Sequence, residues 1–360
     1  MKIGFDMAFA QTPANDRGVG VYTRQLIKSI QLLGQEHCYY YFQPDSPNTK
    51  EELMEQMKAF ISENKIDIYH IHSTFDYYNY FSLHRNWFGD AKLAVTLYDI
   101  IPLLFENQYL PLPEMKEHYM QNLEFVKSCD IIFAISDTTK QDAVEQLNIN
   151  PEKIKVIYGG LCDHFSRENQ LMETKWNGTK KPYILYVGGC DYRKNLDRLI
   201  EAFAKVNHRL KNKYQLIIAG NIPEDQRFFI KLNIKKANVT EDVLFTGFVS
   251  NEELVQLYKG AELFAFPSLY EGFGLPVLEA MACGVPVLTS NTSALKEIAG
   301  EAAYLVNPKN INEIAQGMEH LLTNTETRNT LVKRGFKRVK QFQWTNVAKR
   351  VLKGYQQLFE

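Results

Sequence analysis

Two glutamates and a pair of adjacent cations are the side chains here whose types and spacing offer chemistry. Glu271 and Glu279 lie in FPSLYEGFGLPVLEAMACGVP, residues 266–286, with seven residues between them. Gly272 and Gly274 allow tight or left-handed backbone that a side chain would obstruct. Pro276 suits the first turn of a helix, where its missing N–H costs nothing. Val277, Leu278, Met281 and Ala282 then give that helix an apolar face, and Gly284 with Pro286 ends it. The spacing therefore predicts Glu271 on a loop before a helix N-terminus and Glu279 about a turn inside the helix. On such a loop Glu271→Ala is expected to abolish activity and spare the fold. Such a terminus presents backbone N–H groups and the positive end of a helix dipole to an anion. The carboxylates meanwhile accept from neutral hydroxyls, and a sugar nucleotide carries both kinds of group. The competing reading is an ordinary strand–turn–helix with two solvated glutamates.

Arg193 and Lys194 follow YILYVGG, which contains Gly188, and precede a helix with Leu196, Leu199, Ile200 and Phe203 on one face. Adjacent cations at a strand-to-helix turn suit a diphosphate and neutralise its charge as it leaves. A glycine turn with solvated basic residues fits the same spacing. Gly18 and Gly20 follow Asp16 and Arg17 ahead of a helix through Leu26, Ile27 and Ile30; alone, this G-x-G is a plain turn. His70 and His72 flank Ile71 at a strand end, so they share a face. They read as packed histidines or a cleft lip, since further metal ligands are not placed to help. Tyr77, Tyr78, Tyr80 and Phe81 form an aromatic run suited to stacking on a sugar or packing a loop.

These residues need a scaffold, and short apolar runs alternating with amphipathic stretches supply one: parallel sheets covered by helices. Strands are expected over residues 2–6, 39–42, 67–71, 93–97, 131–135 and 155–158, then over 183–187, 215–219, 243–246, 263–266 and 285–289. The stretch between the sets is polar and aperiodic. Ser250 with Glu253 forms a capping box, and Ser136 caps the helix bearing Ala143, Val144 and Leu147. A length of 360 residues fits two domains, and the fold class is α/β, two doubly wound domains across a cleft.

A net charge of −1 gives no reason to expect nucleic acid as a partner. Five cysteines without C-x-x-C argue against a disulfide framework or zinc site and favour a reducing cytoplasm. Asp6 interrupts the opening apolar run, which reads as a buried strand rather than a leader. No apolar run approaches the ~18 residues a membrane-spanning helix needs.

The Glu271–Glu279 segment resembles the donor-binding motif of the retaining glycosyltransferases of family 4, where Glu, seven residues and Glu recur. VLTSNTSALKEIAGEAAYLVNP, residues 287–308, also looks like that family, particularly its bacterial polysaccharide-building members. The resemblance covers nearly the whole chain and is looser in the N-terminal half. It implies a GT-B fold: an acceptor-side Rossmann-like domain over residues 1–165, a linker over 166–181, and a nucleotide-sugar-binding domain over 182–343. The last helix, within 344–360, would pack back on the first domain. The implied activity is retaining, metal-independent transfer of a hexose from a nucleotide-diphosphate sugar to a glycan or lipid-linked acceptor. It needs no cofactor and works in the cytoplasm, with peripheral membrane contact as a further expectation.

The resemblance also assigns residues. Glu271 would hold the donor sugar, Glu279 the ribose, and Arg193 with Lys194 the leaving diphosphate. Gly18, Gly20, Gly188, Phe273, Gly274 and Leu275 would line the donor, and Phe248 and Val249 would grip the base through their backbone. In VTLYDIIP, residues 95–102, Tyr98 stands where relatives carry histidine, and Asp99 follows. Tyr98 and Ser136 are candidate sugar or acceptor contacts. Asp99 would position the acceptor or relay a proton; capping the turn before Pro102 is its alternative role. The rival functions are a sugar-nucleotide epimerase or a phosphorylase on the same fold, and a non-catalytic partner subunit.

Overall fold

The structure is a computed structural model that describes residues 1–11, 18–45, 49–75, 81–165, 179 and 181–360. Asp16, Arg17, Tyr77, Tyr78, Tyr80 and most of the expected linker lie outside the described residues. The chain forms two compact units, Met1–Gly160 with Gln343–Glu360, and Leu161–Phe342.

The first unit holds strands β1 (Lys2–Asp6), β2 (Cys38–Phe42), β3 (Ile68–Ile71), β4 (Lys92–Leu97), β5 (Ile131–Ala134) and β6 (Ile154–Val156). Its helices are α1 (Gly18–Leu33), α2 (Lys50–Asn64), α3 (Ile101–Leu104), α4 (Glu106–Tyr109), α5 (Pro113–Ser128) and α6 (Asp137–Leu147). The strands pair in parallel in the order β2-β1-β3-β4-β5-β6. Every residue of β3 and β5 is buried, as strands covered by helices on both faces require.

The second unit holds β7 (Tyr183–Val187), β8 (Gln215–Ala219), β9 (Val243–Gly247), β10 (Leu263–Phe266), β11 (Val287–Ser290) and β12 (Tyr304–Val306). Its helices are α7 (Leu196–Arg209), α8 (Glu224–Lys236), α9 (Asn251–Gly260), α10 (Leu275–Ala282), α11 (Ser293–Ala299), α12 (Ile311–Thr323) and α13 (Thr325–Val339). The order β12-β11-β10-β7-β8-β9 is again parallel throughout. The chain reverses its direction of travel across this sheet between β7 and β10, which is where doubly wound folds leave a crevice at the strand ends. Phe264 and Phe266 of β10 are fully buried and contribute roughly 1.5–3 kcal/mol each by burial.

The final helix, α14 (Trp344–Gln356), lies on α1 and belongs to the first unit. Gly354 makes that approach close: a Cβ there would sit 2.6 Å from Phe133. Tyr355 closes the contact, its hydroxyl 2.5 Å from Nδ1 of His70. The other ring nitrogen of His70 lies 2.9 Å from Thr96 Oγ1, so His70 is a packed, hydrogen-bonded core residue. His72 is buried beside it, ring centroids 4.3 Å apart, and burial pushes its pKa down to about 3.

The units divide at Gly160 and Leu161 rather than after residue 165. The reason is Phe165, which packs edge-on against Tyr258 of α9 at 5.9 Å and so ties the 3-10 turn Asp163–Phe165 to the second unit. The strand β12, three residues at the sheet edge, went unforeseen.

Candidate active site

The carboxyl ends of β7 and β10 carry the four charged residues singled out by spacing. After β7 the chain turns at Gly188 and enters a 3-10 turn, Tyr192–Lys194. Asn195 ends that turn in the left-handed region, φ 59°, a conformation asparagine tolerates better than most residues. Its buried side-chain amide donates to the carbonyls of Pro267 (2.8 Å) and Pro308 (2.7 Å), fixing the turn against the loops after β10 and β12. The Arg193 carbonyl accepts from Leu269 N at 2.7 Å, a further tie to the β10 loop.

Glu271 sits on that loop and is 7% exposed. One carboxylate oxygen accepts from Arg193 Nη1 and the other from Lys194 Nζ at 2.7 Å. Arg193 also lies 3.7 Å from Asp191, and the Lys194 ammonium is 4.9 Å from the Phe266 ring centroid. Burial pushes the Glu271 carboxyl up, but Arg193 and Lys194 outweigh it and hold the group below the usual carboxylate range. Burial lowers Lys194, opposed by Glu271. The loop position was legible; the ion cluster was not. Glu271→Ala would strand two largely buried cations, so a cost in stability is expected beside the loss of activity.

The helix after Glu271 opens as the spacing implies. Gly274 has φ 125°, and a Cβ there would meet Leu295 at 2.9 Å, so only glycine fits the entry to α10. Pro276 lies in the first turn. Glu279 is a turn inside, half-buried, and accepts from the Tyr258 hydroxyl at 2.9 Å. Burial pushes its carboxyl up to about 7, with the Tyr258 hydrogen bond acting in the opposite direction. Tyr258 was missed, since nothing in the sequence links α9 to a glutamate on α10.

The remaining donor candidates fall into two kinds. Gly188, Gly274 and Leu275 lie at the ends of β7 and at the start of α10. Phe273 is buried, its ring edge-on to Phe342 at 5.9 Å. Phe248 and Val249 follow β9; the Phe248 side chain is 83% exposed.

In the first unit, Gly18 and Gly20 form the first turn of α1 itself, not a loop before it. Tyr98, after β4, has its hydroxyl 2.9 Å from Thr23 Oγ1, and so bonds α1. Asp99 accepts from Ile101 N at 3.0 Å, the turn-capping role. Both line a cavity of about 260 Å³ with Ser73, Thr74, Thr96 and Tyr119. Ser136 is wholly buried and does not reach that cavity's lining. It accepts from Thr139 N and donates to Thr139 Oγ1, both at 3.0 Å, and Thr139 in turn donates to the Tyr98 carbonyl at 3.1 Å. It is a helix cap whose side chain is turned to Thr139, and Thr139 in turn holds the Tyr98 carbonyl.

The model of the family "Glycosyltransferase Family 4" matches residues 17–163, and that of "Glycosyl transferases group 1" matches 168–338. The chain belongs to these glycosyltransferases. The serotype-specific mannosyltransferase WbdA of Escherichia coli is 31% identical over 276 residues, 75% of this chain and 34% of that protein. The chain thus spans about a third of the length of the first curated relatives it matches. The O-antigen chain mannosyltransferase B of the same organism is 29% identical over 79% of this chain and 76% of its own. Among solved structures, Anabaena HepE in complex with UDP and glucose superposes with a TM-score of 0.73 at 17% identity, covering 99% of this chain and 100% of that one. That likeness establishes the GT-B fold of two Rossmann-like units.

Proposed function

We infer that the protein is a retaining, metal-independent mannosyltransferase that takes its sugar from a nucleotide diphosphate and extends a glycan or lipid-linked oligosaccharide in surface polysaccharide synthesis. The observation that carries this is the Arg193–Lys194–Glu271 cluster at the end of β7, beside the N-terminus of α10. Two adjacent cations and a helix dipole meet the charge of a departing diphosphate without a divalent ion. The mannosyl assignment follows the relatives, WbdA and the O-antigen chain mannosyltransferase B, both mannosyltransferases by name.

A carboxylate offers about four lone-pair sites, and the two cations occupy two of those on Glu271. The remaining sites accept from the donor sugar's hydroxyls while Arg193 and Lys194 turn to the diphosphate. Glu279 accepts from the ribose. The bond from the anomeric carbon to the diphosphate oxygen breaks, and an acceptor hydroxyl attacks from the same face. Its proton passes to the departing phosphate oxygen, so the configuration is retained. Asp99 and Tyr98 line the first unit's cavity, which suits a hydroxylated acceptor. Five free thiols fit a reducing cytoplasm. No helix among the described residues is long and apolar enough to cross a membrane.

Thermal stabilisation by UDP, GDP, ADP and dTDP, with and without EDTA, tests the donor site. One nucleotide raising the midpoint regardless of EDTA supports the proposal. No shift with any of them removes it and favours a non-catalytic subunit.

A further inference from the structure

The turn that bears Arg193 and Lys194 also borders a second cavity, of about 330 Å³, which the donor site does not use. That volume falls at the lower end of small-molecule sites and has room for a mono- or disaccharide. Two aromatic side chains line it while remaining largely in solvent, Tyr192 at 52% and Phe229 at 66% exposure. Between them lie Asn195, Asp197, Arg198 and Asn233. The polar groups are held in a fixed array. Asn233 donates to Asp197 at 2.7 Å, and Arg198 donates to Asn195 at 2.8 Å. Asn195 is itself pinned by two proline carbonyls.

Aromatic faces beside planar donors and acceptors match a pyranose, which has apolar C–H faces and a rim of hydroxyls. The charge pattern points the same way. Beyond the cavity, α8 turns Phe228 and Leu232 outward as well as Phe229, while Ile230 and Ile234 face the core. Its exposed charges are of both signs, Glu224 and Asp225 at one end and Lys231, Lys235 and Lys236 towards the other. An anionic membrane calls for a single-sign field; mixed charge around aromatics suits a neutral partner.

We propose that this cavity is a glycan subsite, taking a neutral sugar of the acceptor chain away from the reacting end. It stacks on Tyr192 and Phe229 and hydrogen-bonds to Asp197, Arg198 and Asn233. The subsite rests on the reading of the chain as a glycan-extending transferase. Tyr192 immediately precedes Arg193, so a seated saccharide braces the turn that carries both cations.

The probe is mannotriose, followed by saturation-transfer NMR on the whole chain, with GDP and UDP stabilisation recorded on the same samples. The Tyr192→Ala, Phe229→Ala double variant alters exposed side chains and is expected to fold. Saccharide binding about tenfold weaker in the variant, with nucleotide stabilisation unchanged, supports the subsite. Equal saccharide binding by variant and wild type overturns it. So does a wild type that binds nucleotide and no saccharide, which leaves the donor site standing. A wild type that binds neither overturns both. If the variant instead loses co-sedimentation with phosphatidylglycerol vesicles and keeps the saccharide, the patch is a membrane surface and the glycan subsite is refuted.

Discussion

Glu271→Gln keeps the shape of the side chain and removes its charge. In the unliganded protein Glu271 balances Arg193 and Lys194, whose side chains are only 19% and 13% exposed. Breaking a buried ion pair from one side costs about 3–5 kcal/mol. Gln still offers one acceptor, and Asp191 lies 3.7 Å from Arg193, so about 2–4 kcal/mol is the appropriate range. For a unit of this size roughly 2–4 °C accompanies each kcal/mol, giving a midpoint lowered by about 4–16 °C in scanning fluorimetry. The two freed cations then await an anion, so a nucleoside diphosphate should raise the midpoint more in the variant than in the wild type. Sugar transfer should still fall by about 10²–10³, because the variant cannot hold the donor sugar as before. An unchanged midpoint together with an unchanged nucleotide shift would refute the idea that one carboxylate stands in for the diphosphate.

Other perturbations have equally definite outcomes. Arg193→Ala and Lys194→Ala should each lower kcat by roughly 10²–10³ and weaken nucleoside diphosphate more than nucleoside, as calorimetry will show. Glu279 is pushed up to about 7, and the ribose contact proposed for it requires the carboxylate form. Affinity for a nucleotide-diphosphate sugar should therefore rise with pH, about tenfold between pH 6 and 8, and Glu279→Gln should flatten the profile. Asp6 is buried with its pKa raised to about 7. The folded state holds that proton where the unfolded state has lost it. Its contribution is thus present in acid and declines as pH climbs from about 4 to 7. Asp6→Asn keeps an acceptor for Ala8 N, now 2.8 Å away. It should be more stable than wild type at pH 8 by about 2–4 kcal/mol in urea titration. Equal stability at pH 8 would show Asp6 to be hydrated.

Most strand positions were legible because a strand buried on both faces must read as a short apolar run. The three-residue β12 lies in such a run too, Ala302 to Val306, and went unforeseen all the same. The turn residues around Glu271 were legible for a different reason: Gly274 and Pro276 answer local backbone requirements that leave few alternatives. Pairing is another matter. Nothing in the chain states that Arg193 and Lys194 will meet a glutamate 78 and 77 residues on, respectively. That meeting depends on β10 lying beside β7, which is set by the order of the whole sheet. Tyr258 and Glu279 depend in the same way on how α9 and α10 are laid down. Ser136 shows the converse: its cap was written in the local sequence, and its complete burial was not. Asp6 was read as an interruption of an apolar run; the fold turns it into a buried carboxyl held by the Ala8 amide with Tyr69 as its neighbour.

Metal-free transfer with retention of configuration is the central claim, and the anomeric proton of the product reports on it. The purified protein would be incubated with GDP-linked and UDP-linked mannose and a mannosyl acceptor in EDTA, and the product followed by proton NMR from the first turnover. An α-linked product from the α-linked donor, formed at the same rate with and without EDTA and lost in the Arg193→Ala, Lys194→Ala double variant, is the expected result. A β-linked product, or transfer that stops on chelation, would contradict it.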